Sequence, residues 1–327
     1  MKLPRRKFLH LAVRAAALPA MSRFAVAQTY PTRQITLVVP FAAGGGIDAL
    51  ARILGERLRM SLGQPLVVEN IAGAGGSIGV GRVARAAGDG YTLVLGGLYT
   101  HVVNSAIYNL QYDTVTDFEP VALVSTLPLL VVARKTMPAD DLKGLINWIK
   151  SNPEKASAAT AGAGTPQHIA GVFLQNMTGT RFQFVPYRAG VLQGLLTEQV
   201  DFIIDVADQS LPLVRTGRFK VYGATAKSRM EVAPEIPTVD EAGLPGFYIS
   251  VWRAIWAAKA TPKAIVGKLN AAIVEALEDP IMHSRITSTG QAIPRREEQT
   301  PEALAALQKA EIEKWWPIIK AAGIKGE

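Results

Sequence analysis

Two glycine-rich loops contain the residues whose types and spacing best suit chemistry in this sequence. Gly44–Gly46 and Gly73–Gly76 each follow a short apolar run and precede apolar residues at helical spacing. Backbone N–H groups and the positive end of a helix would meet at each loop, and this combination suits a bound anion such as a carboxylate. A single loop of this kind is better explained by a tight turn that needs positive φ, but two loops on neighbouring strands favour an anion site.

The second loop also matches two patterns found in enzymes. The pentapeptide Gly75–Gly79 fits the G-x-S-x-G pattern of a hydrolase nucleophile elbow, which makes Ser77 a candidate nucleophile. In that motif the serine directly follows a strand, whereas a loop separates Glu69 from the pentapeptide here. Together with Gly73, the glycines approximate a dinucleotide fingerprint, but no acidic residue ends the next predicted strand. We therefore keep a secreted serine hydrolase as the alternative function and disfavour nucleotide binding.

Isolated polar side chains in the second half of the chain are further candidates. His168 follows a glycine-containing loop at a predicted helix start, where its ring could bind a ligand or hold the loop. Asp205 ends an apolar strand and could accept a hydrogen bond from a ligand or cap the next helix. Arg188 is a candidate cation for a second carboxylate, or else a solvated loop residue. The four histidines are scattered without metal-ligand spacing, so we predict no metal site and no cofactor.

The charge of the chain is concentrated at its beginning. The 327 residues include 35 Lys plus Arg and 27 Asp plus Glu, a formal charge of +8, and residues 1–28 hold six basic and no acidic residues. From position 29 onward 29 basic residues face 27 acidic ones, a net charge of +2, so nucleic acid is not an expected partner. The hydrophobic content of 49% excludes disorder, and the lack of cysteine excludes disulfides and thiolate chemistry.

The first residues have the order of an export signal. A basic start precedes the apolar stretch Leu9–Ala20 and the small residues Ala25 and Ala27. We predict cleavage after Ala27 and a periplasmic location. The run Arg5–Leu9 is similar to a twin-arginine signal, so both twin-arginine and general secretory export stay open.

Strands and helices alternate along the rest of the chain. Strands are predicted at Ile35–Val39, Pro65–Glu69 and Tyr91–Leu95 with helices between them, which is typical of a parallel sheet covered on both faces. Two long apolar stretches, Val121–Ala133 and Ile249–Ala257, predict strands that cross between domains. We therefore predict an α/β protein in which residues 28–130 and 248–327 form a discontinuous first lobe, and residues 131–247 form an inserted second lobe. A small ligand would bind in the cleft between them.

Several motifs occur in one order over essentially the whole chain after the export signal. They are PFAAGGGIDALAR, VVENIAGAGGSIG, GDGYTLVLG, YDTVTDFEPVALV, GAGTPQHIAG, VPYR and IPTVDEAGLPGF. In this combination the sequence resembles the Bug/TctC-type solute-binding proteins of tripartite tricarboxylate transporters. The resemblance implies a periplasmic-binding-protein type II-like fold and a monomeric, non-catalytic protein. It would capture a small organic carboxylate, whether a di- or tricarboxylate, an amino acid or an aromatic acid, and deliver it to membrane permease subunits.

The resemblance also implies which residues bind the ligand. They are Phe41, Gly44, Gly45, Gly46 and Ile47 in the first loop, Ala74, Gly75, Gly76, Ser77 and Ile78 in the second, and Thr165, His168, Tyr187, Arg188 and Asp205 in the second lobe. Two departures from the family pattern affect this surface. Ile47 replaces a usual Ser or Thr, and the loop after Arg188 is shorter than usual. We expect the two loops to keep the ability to bind a carboxylate. The specificity for the rest of the ligand stays open, as does the choice between a role in transport and one in sensing.

Overall fold

The structure, a computed structural model, describes residues 30–187 and 190–326. The predicted export signal and its cleavage site after Ala27 lie outside the described residues, as does Arg188. No helix in these described ranges is long and apolar enough to cross a membrane.

The first part of the sheet contains three parallel strands with β1 in the centre. They are β1 (Ile35–Val39), β2 (Leu66–Asn70) and β3 (Thr92–Gly97). Helix α1 (Gly46–Leu62) joins β1 to β2 and buries its apolar face, and helix α2 (Ser77–Ala84) follows β2. The carboxyl ends of parallel strands share one edge of a sheet, so the two glycine loops meet there.

Two long strands connect this part of the sheet to the next. Strand β4 (Phe118–Arg134) runs for 17 residues and pairs antiparallel with β9 (Ser250–Ala258), which also pairs antiparallel with β3. The prediction of two long crossing strands is thus confirmed. The parallel arrangement predicted from the first three strands is confirmed, and the two crossing strands pair antiparallel with their neighbours.

The second part of the sheet is built on the far half of β4. There β4 pairs antiparallel with β7 (Phe202–Val206) and β8 (Phe219–Ala224), and the order continues from β7 to β5 (Ser157–Thr160) and β6 (Gln183–Pro186). Four helices accompany these strands: α4 (Leu142–Ser151), α5 (Pro166–Thr178), α6 (Val191–Leu196) and α7 (Ala207–Arg215). Helix α3 (Asn104–Ile107) directly follows a π-helical turn at Tyr99–Val103 and precedes β4.

Three helices follow β9; the first and third pack against β4, and the second packs on the first and on α1. They are α8 (Lys263–Glu278), α9 (Pro280–Thr287) and α10 (Pro301–Ala321). Trp315 of α10 is buried, and the Trp316 indole N–H donates a 2.9 Å hydrogen bond to the Val102 carbonyl. These contacts hold α10 against the π-helical turn and the core of the protein.

A threonine fastens the crossing strands where β4 changes its partner. The pairing of β4 with β9 ends at Pro128, and pairing with β7 begins at Leu129. The hydroxyl of Thr225 accepts a 2.9 Å hydrogen bond from the Leu129 N–H and donates a 2.6 Å bond to the Ile249 carbonyl. One buried hydroxyl therefore ties together the two chain segments that cross.

Candidate functional site

A cavity of about 450 Å³ lies where loops from both parts of the sheet converge. Its wall includes Phe41, Ala42, Gly45–Ile47 and Gly75 on one side, Ala161, residues 163–167 and Tyr187 on the other, and part of β9 between them. This volume is in the range of sites for small organic molecules.

A buried carboxylate organises the first loop. Asp48 accepts hydrogen bonds from the Gly44 N–H at 2.9 Å, from Asn70 Nδ2 at 3.0 Å, and from two guanidinium nitrogens of Arg52 at 3.0 Å each. The hydrogen bond from Arg52, with smaller help from Gly44 and Asn70, lowers the pKa of Asp48 to about 2. Asp48 is therefore charged and holds the loop from inside.

The first N–H groups of α1 are not capped by a side chain of the described residues, which suits a bound anion. Gly45 stands at the N-cap, and no described side chain caps the first N–H groups of the helix there. These N–H groups and the helix dipole favour a negative group near Gly46 and Ile47, which both line the cavity.

The second loop is shaped by its backbone. Four successive residues, Gly73 to Gly76, have positive φ values of 132°, 46°, 61° and 94°. A β-carbon at Gly76 would lie 2.9 Å from Thr100 Cγ2 and 3.2 Å from the Pro40 carbonyl oxygen, so this position needs glycine. Asn104 Nδ2 donates to the Gly75 carbonyl at 2.9 Å and to Ser77 Oγ at 3.1 Å, which fixes the loop from α3.

The hydrogen bonds around Ser77 do not resemble those of a serine hydrolase. Within the described chain, the bond that reaches Ser77 Oγ comes from Asn104 and not from a histidine. His101 is buried against Trp256, and burial lowers its pKa to about 3. His168 is engaged with its own loop, as described next. Neither ring is bonded to Ser77, so the alternative function gains no support.

His168 holds the loop that carries Thr165. Its Nδ1 accepts a 3.2 Å hydrogen bond from the Gly164 N–H, and its ring packs edge-on against Phe184. Burial lowers the pKa of His168, which favours the neutral ring that this hydrogen bond requires. Thr165 donates from its hydroxyl to the Gly162 carbonyl at 2.7 Å and lines the cavity.

Asp205 lies one residue away from the cavity. It is fully buried, and its Oδ1 accepts a 2.9 Å hydrogen bond from Gln167 Nε2. Burial raises the pKa of Asp205 to about 7. Gln167 itself lines the cavity, so Asp205 orients an amide that sequence reasoning did not single out.

An ion pair that sequence reasoning missed packs against the first loop. Arg253 of β9 is the one charged side chain among the described residues that line the cavity. Its Nη2 donates a 2.7 Å hydrogen bond to Asp208 Oδ2 in the first turn of α7, and both side chains are at most 8% exposed. A β-carbon at Gly46 would overlap Asp208 Oδ2 and lie 3.4 Å from Arg253 Nη2. A charged residue inside the apolar stretch Ile249–Ala257 was the signal that could have drawn attention to Arg253.

The predicted ligand-binding residues fall into two groups. Those on the cavity wall are Phe41, Gly45, Gly46, Ile47, Gly75, Thr165 and Tyr187. Those that belong to the same loops, or sit one residue away, without lining the wall are Gly44, Ala74, Gly76, Ser77, Ile78, His168 and Asp205. Their contact with a ligand stays a prediction.

Solved structures with the same fold include proteins that hold a carboxylate. MatC from Rhodopseudomonas palustris with bound malate is 38% identical, with a TM-score of 0.80 over 89% of this chain and 100% of that one. Periplasmic binding protein BugD is 37% identical, with a TM-score of 0.80 over 91% of this chain and all of its own. Rpa4515 from R. palustris with adipate is 31% identical, with a TM-score of 0.82 over 90% and 99% of the two chains.

These neighbours confirm the α/β fold of a two-lobed periplasmic binding protein with crossing strands. The family model described as the tripartite tricarboxylate transporter family receptor, TctC, matches residues 50–324. The match covers most of the chain and agrees with the resemblance seen in its motifs. The chain therefore belongs to the TctC family of solute-binding proteins.

Proposed function

We propose that this solute-binding protein captures a small organic carboxylate in the periplasm and delivers it to the permease subunits of a tripartite tricarboxylate transporter. The observation that carries the proposal is the cavity in which the open start of α1, the second glycine loop and a guanidinium meet. All three features favour an anion, and no described residue on the cavity wall is acidic.

Two of the similar structures narrow the range of carboxylates to test first. MatC holds malate and Rpa4515 holds adipate, which are both dicarboxylates. We infer that a dicarboxylate is the best starting ligand for this chain, followed by tricarboxylates, amino acids and aromatic acids. The cavity of about 450 Å³ has room for molecules of this size.

Closure of two lobes is the mechanism that we infer for capture. Residues 28–130 and 248–327 would form one lobe and residues 131–247 the other. The lobes would rotate about the crossing segments near Leu129 and Ile249, which the Thr225 hydroxyl ties together. A ligand that touches both lobes stabilises the closed state, and a permease then recognises that state. Gly45–Ile47 and Gly75 would contact the ligand from the first lobe, and Thr165, Gln167 and Tyr187 from the second.

Isothermal titration calorimetry tests the proposal. The protein is first unfolded and dialysed, which removes any ligand carried from the cell, and is then refolded. We expect saturable heat with at least one member of a panel of di- and tricarboxylates, amino acids and aromatic acids. A panel without any binding would contradict the proposal. N-terminal sequencing of the exported protein tests the location separately, with Gln28 as the expected first residue.

A further inference from the structure

The charge of the cavity wall comes from one residue on a crossing strand. Arg253 supplies the sole charged side chain of that wall within the described ranges, yet it is only 6% exposed. A guanidinium so removed from water needs partners for its five N–H donors. A ligand oxygen in the cavity can supply one of these partners.

The pairing of Arg253 with Asp208 is incomplete. Arginine and carboxylate groups often form two parallel hydrogen bonds, but here one bond of 2.7 Å joins Nη2 to Oδ2. Arg253 Nη1 and Asp208 Oδ1 are both buried, and neither has a hydrogen-bond partner among the described residues. Arg253 thus keeps a donor for a second oxygen ligand.

The carboxylate of Asp208 also lies beside the open start of α1. It packs so closely on Gly46 that a β-carbon there would overlap Oδ2. An anion is favoured at this place by the helix dipole, so Asp208 lies where a ligand carboxylate would also be attracted. Asp208 belongs to the inserted lobe in the division proposed above, whereas Gly46 and Arg253 belong to the other lobe.

We propose that Arg253 is the counter-ion of the ligand carboxylate at the first loop, and that Asp208 competes for this place in the ligand-free protein. This inference rests on the proposed function and names its specificity determinant. A ligand must then present an ionised carboxylate to Arg253, and a neutral amide of the same shape is rejected. Binding also exchanges a contact between the lobes for a contact with the ligand.

Three variants separate these roles by calorimetry with malate, adipate and the neutral adipamide as probes. Asp208→Asn removes the competing charge and keeps Arg253, so we expect adipate or malate to bind about threefold more tightly than to the wild type. Arg253→Gln in the Asp208→Asn background removes the counter-ion without leaving a buried carboxylate unpaired, and we expect at least about tenfold weaker binding than for Asp208→Asn alone. Arg253→Lys in the same Asp208→Asn background keeps the charge without the planar fork, so its affinity for the acids should lie between those of the other two variants.

A second, partly buried ion pair provides the control. Arg134 at the end of β4 and Asp201 directly before β7 are joined at 3.1 Å, and neither lines the cavity. The double variant Arg134→Gln, Asp201→Asn should bind the probes as the wild type does. Circular dichroism melts of all variants show which of them fold.

The outcomes distinguish this inference from the function on which it rests. If the wild type binds neither these two acids nor any other carboxylate of the panel, both fall. If the wild type binds a carboxylate but the Arg253→Gln, Asp208→Asn protein binds it as tightly as Asp208→Asn does, the role of Arg253 is wrong. If Asp208→Asn binds more weakly than the wild type, Asp208 supports the site and does not compete for it. Equal binding of adipate and adipamide would overturn the requirement for an ionised carboxylate.

Discussion

The two glycine loops follow similar strand–loop–helix sequences and reach the same cavity, but different interactions hold them. The first loop is held by the charged Asp48, which bonds to its own loop, to Arg52 and to Asn70. The second is held by four successive positive φ values and by the neutral amide of Asn104. One loop thus depends on an ionised side chain, and the other on a backbone that only small residues can adopt. Two loops that look alike in sequence are therefore disrupted by different substitutions.

The largest effect should come from adding a side chain to the second loop. Gly76→Ala combines a φ of 94° with contacts below 3.4 Å to Thr100 and Pro40, so we expect about 3 kcal/mol of destabilisation in urea unfolding. Gly63→Ala is the matched control, because φ there is 70° but no atom lies within 4 Å of the new β-carbon. It should cost about 1 kcal/mol. Equal costs for the two variants would show that backbone packing does not set the second loop.

Removing the charge from the first loop should have the next largest effect. Asp48→Asn keeps the shape of the side chain but weakens the charge-assisted bonds to Gly44 and Arg52, so we expect about 2 kcal/mol of destabilisation at pH 7. Glu56→Gln on the same helix removes an exposed ion pair with Arg285 and should cost less than about 0.5 kcal/mol. The same urea unfolding series measures both, and similar small losses would mean that charge does not hold this loop.

The contribution of Asp48 should disappear in acid. Its folded-state pKa of about 2 is below the ordinary value of 3.8, so its stabilising effect is full above pH 5 and is lost as the pH falls through 3.8 toward 2. We expect the stability difference between wild type and Asp48→Asn to shrink by about 1 kcal/mol between pH 7 and pH 3. The difference between wild type and Gly76→Ala should stay constant over this range. A constant difference for both variants would remove the distinction between the loops.

The parts of the fold that sequence predicted are those with a strong local signal. Strand β1 begins and ends where predicted, because it is a short apolar run that stops at Pro40. Strand β5 was missed because Ser157–Thr160 consists of small residues that are held as a strand by their neighbours β6 and β7.

The same distinction applies to the site. Both glycine loops could be predicted because their glycines and the flanking strand and helix lie within a few residues, although Asn70 and Asn104, which help to hold them, are distant in sequence. The pair of Arg253 with Asp208 joins positions 45 residues apart, and the support of Asp205 for Gln167 joins positions 38 apart. Such contacts depend on how the strands are ordered in the sheet, which local patterns do not contain. An isolated charge in an apolar strand is the signal that remains in the sequence.

The smallest effect should come from the hydroxyl of Ser77, which was the candidate nucleophile. Ser77→Ala removes one hydrogen bond donated by Asn104, but the 2.9 Å bond from Asn104 to the Gly75 carbonyl remains. We therefore expect less than about 1 kcal/mol of destabilisation and less than about fivefold weaker carboxylate binding. A chromogenic ester assay on wild type and variant gives the same background rate if the protein only binds. Ester turnover that disappears in Ser77→Ala would restore the hydrolase hypothesis. Destabilisation as large as for Asp48→Asn would instead mean that the second loop, like the first, depends on a side-chain hydrogen bond.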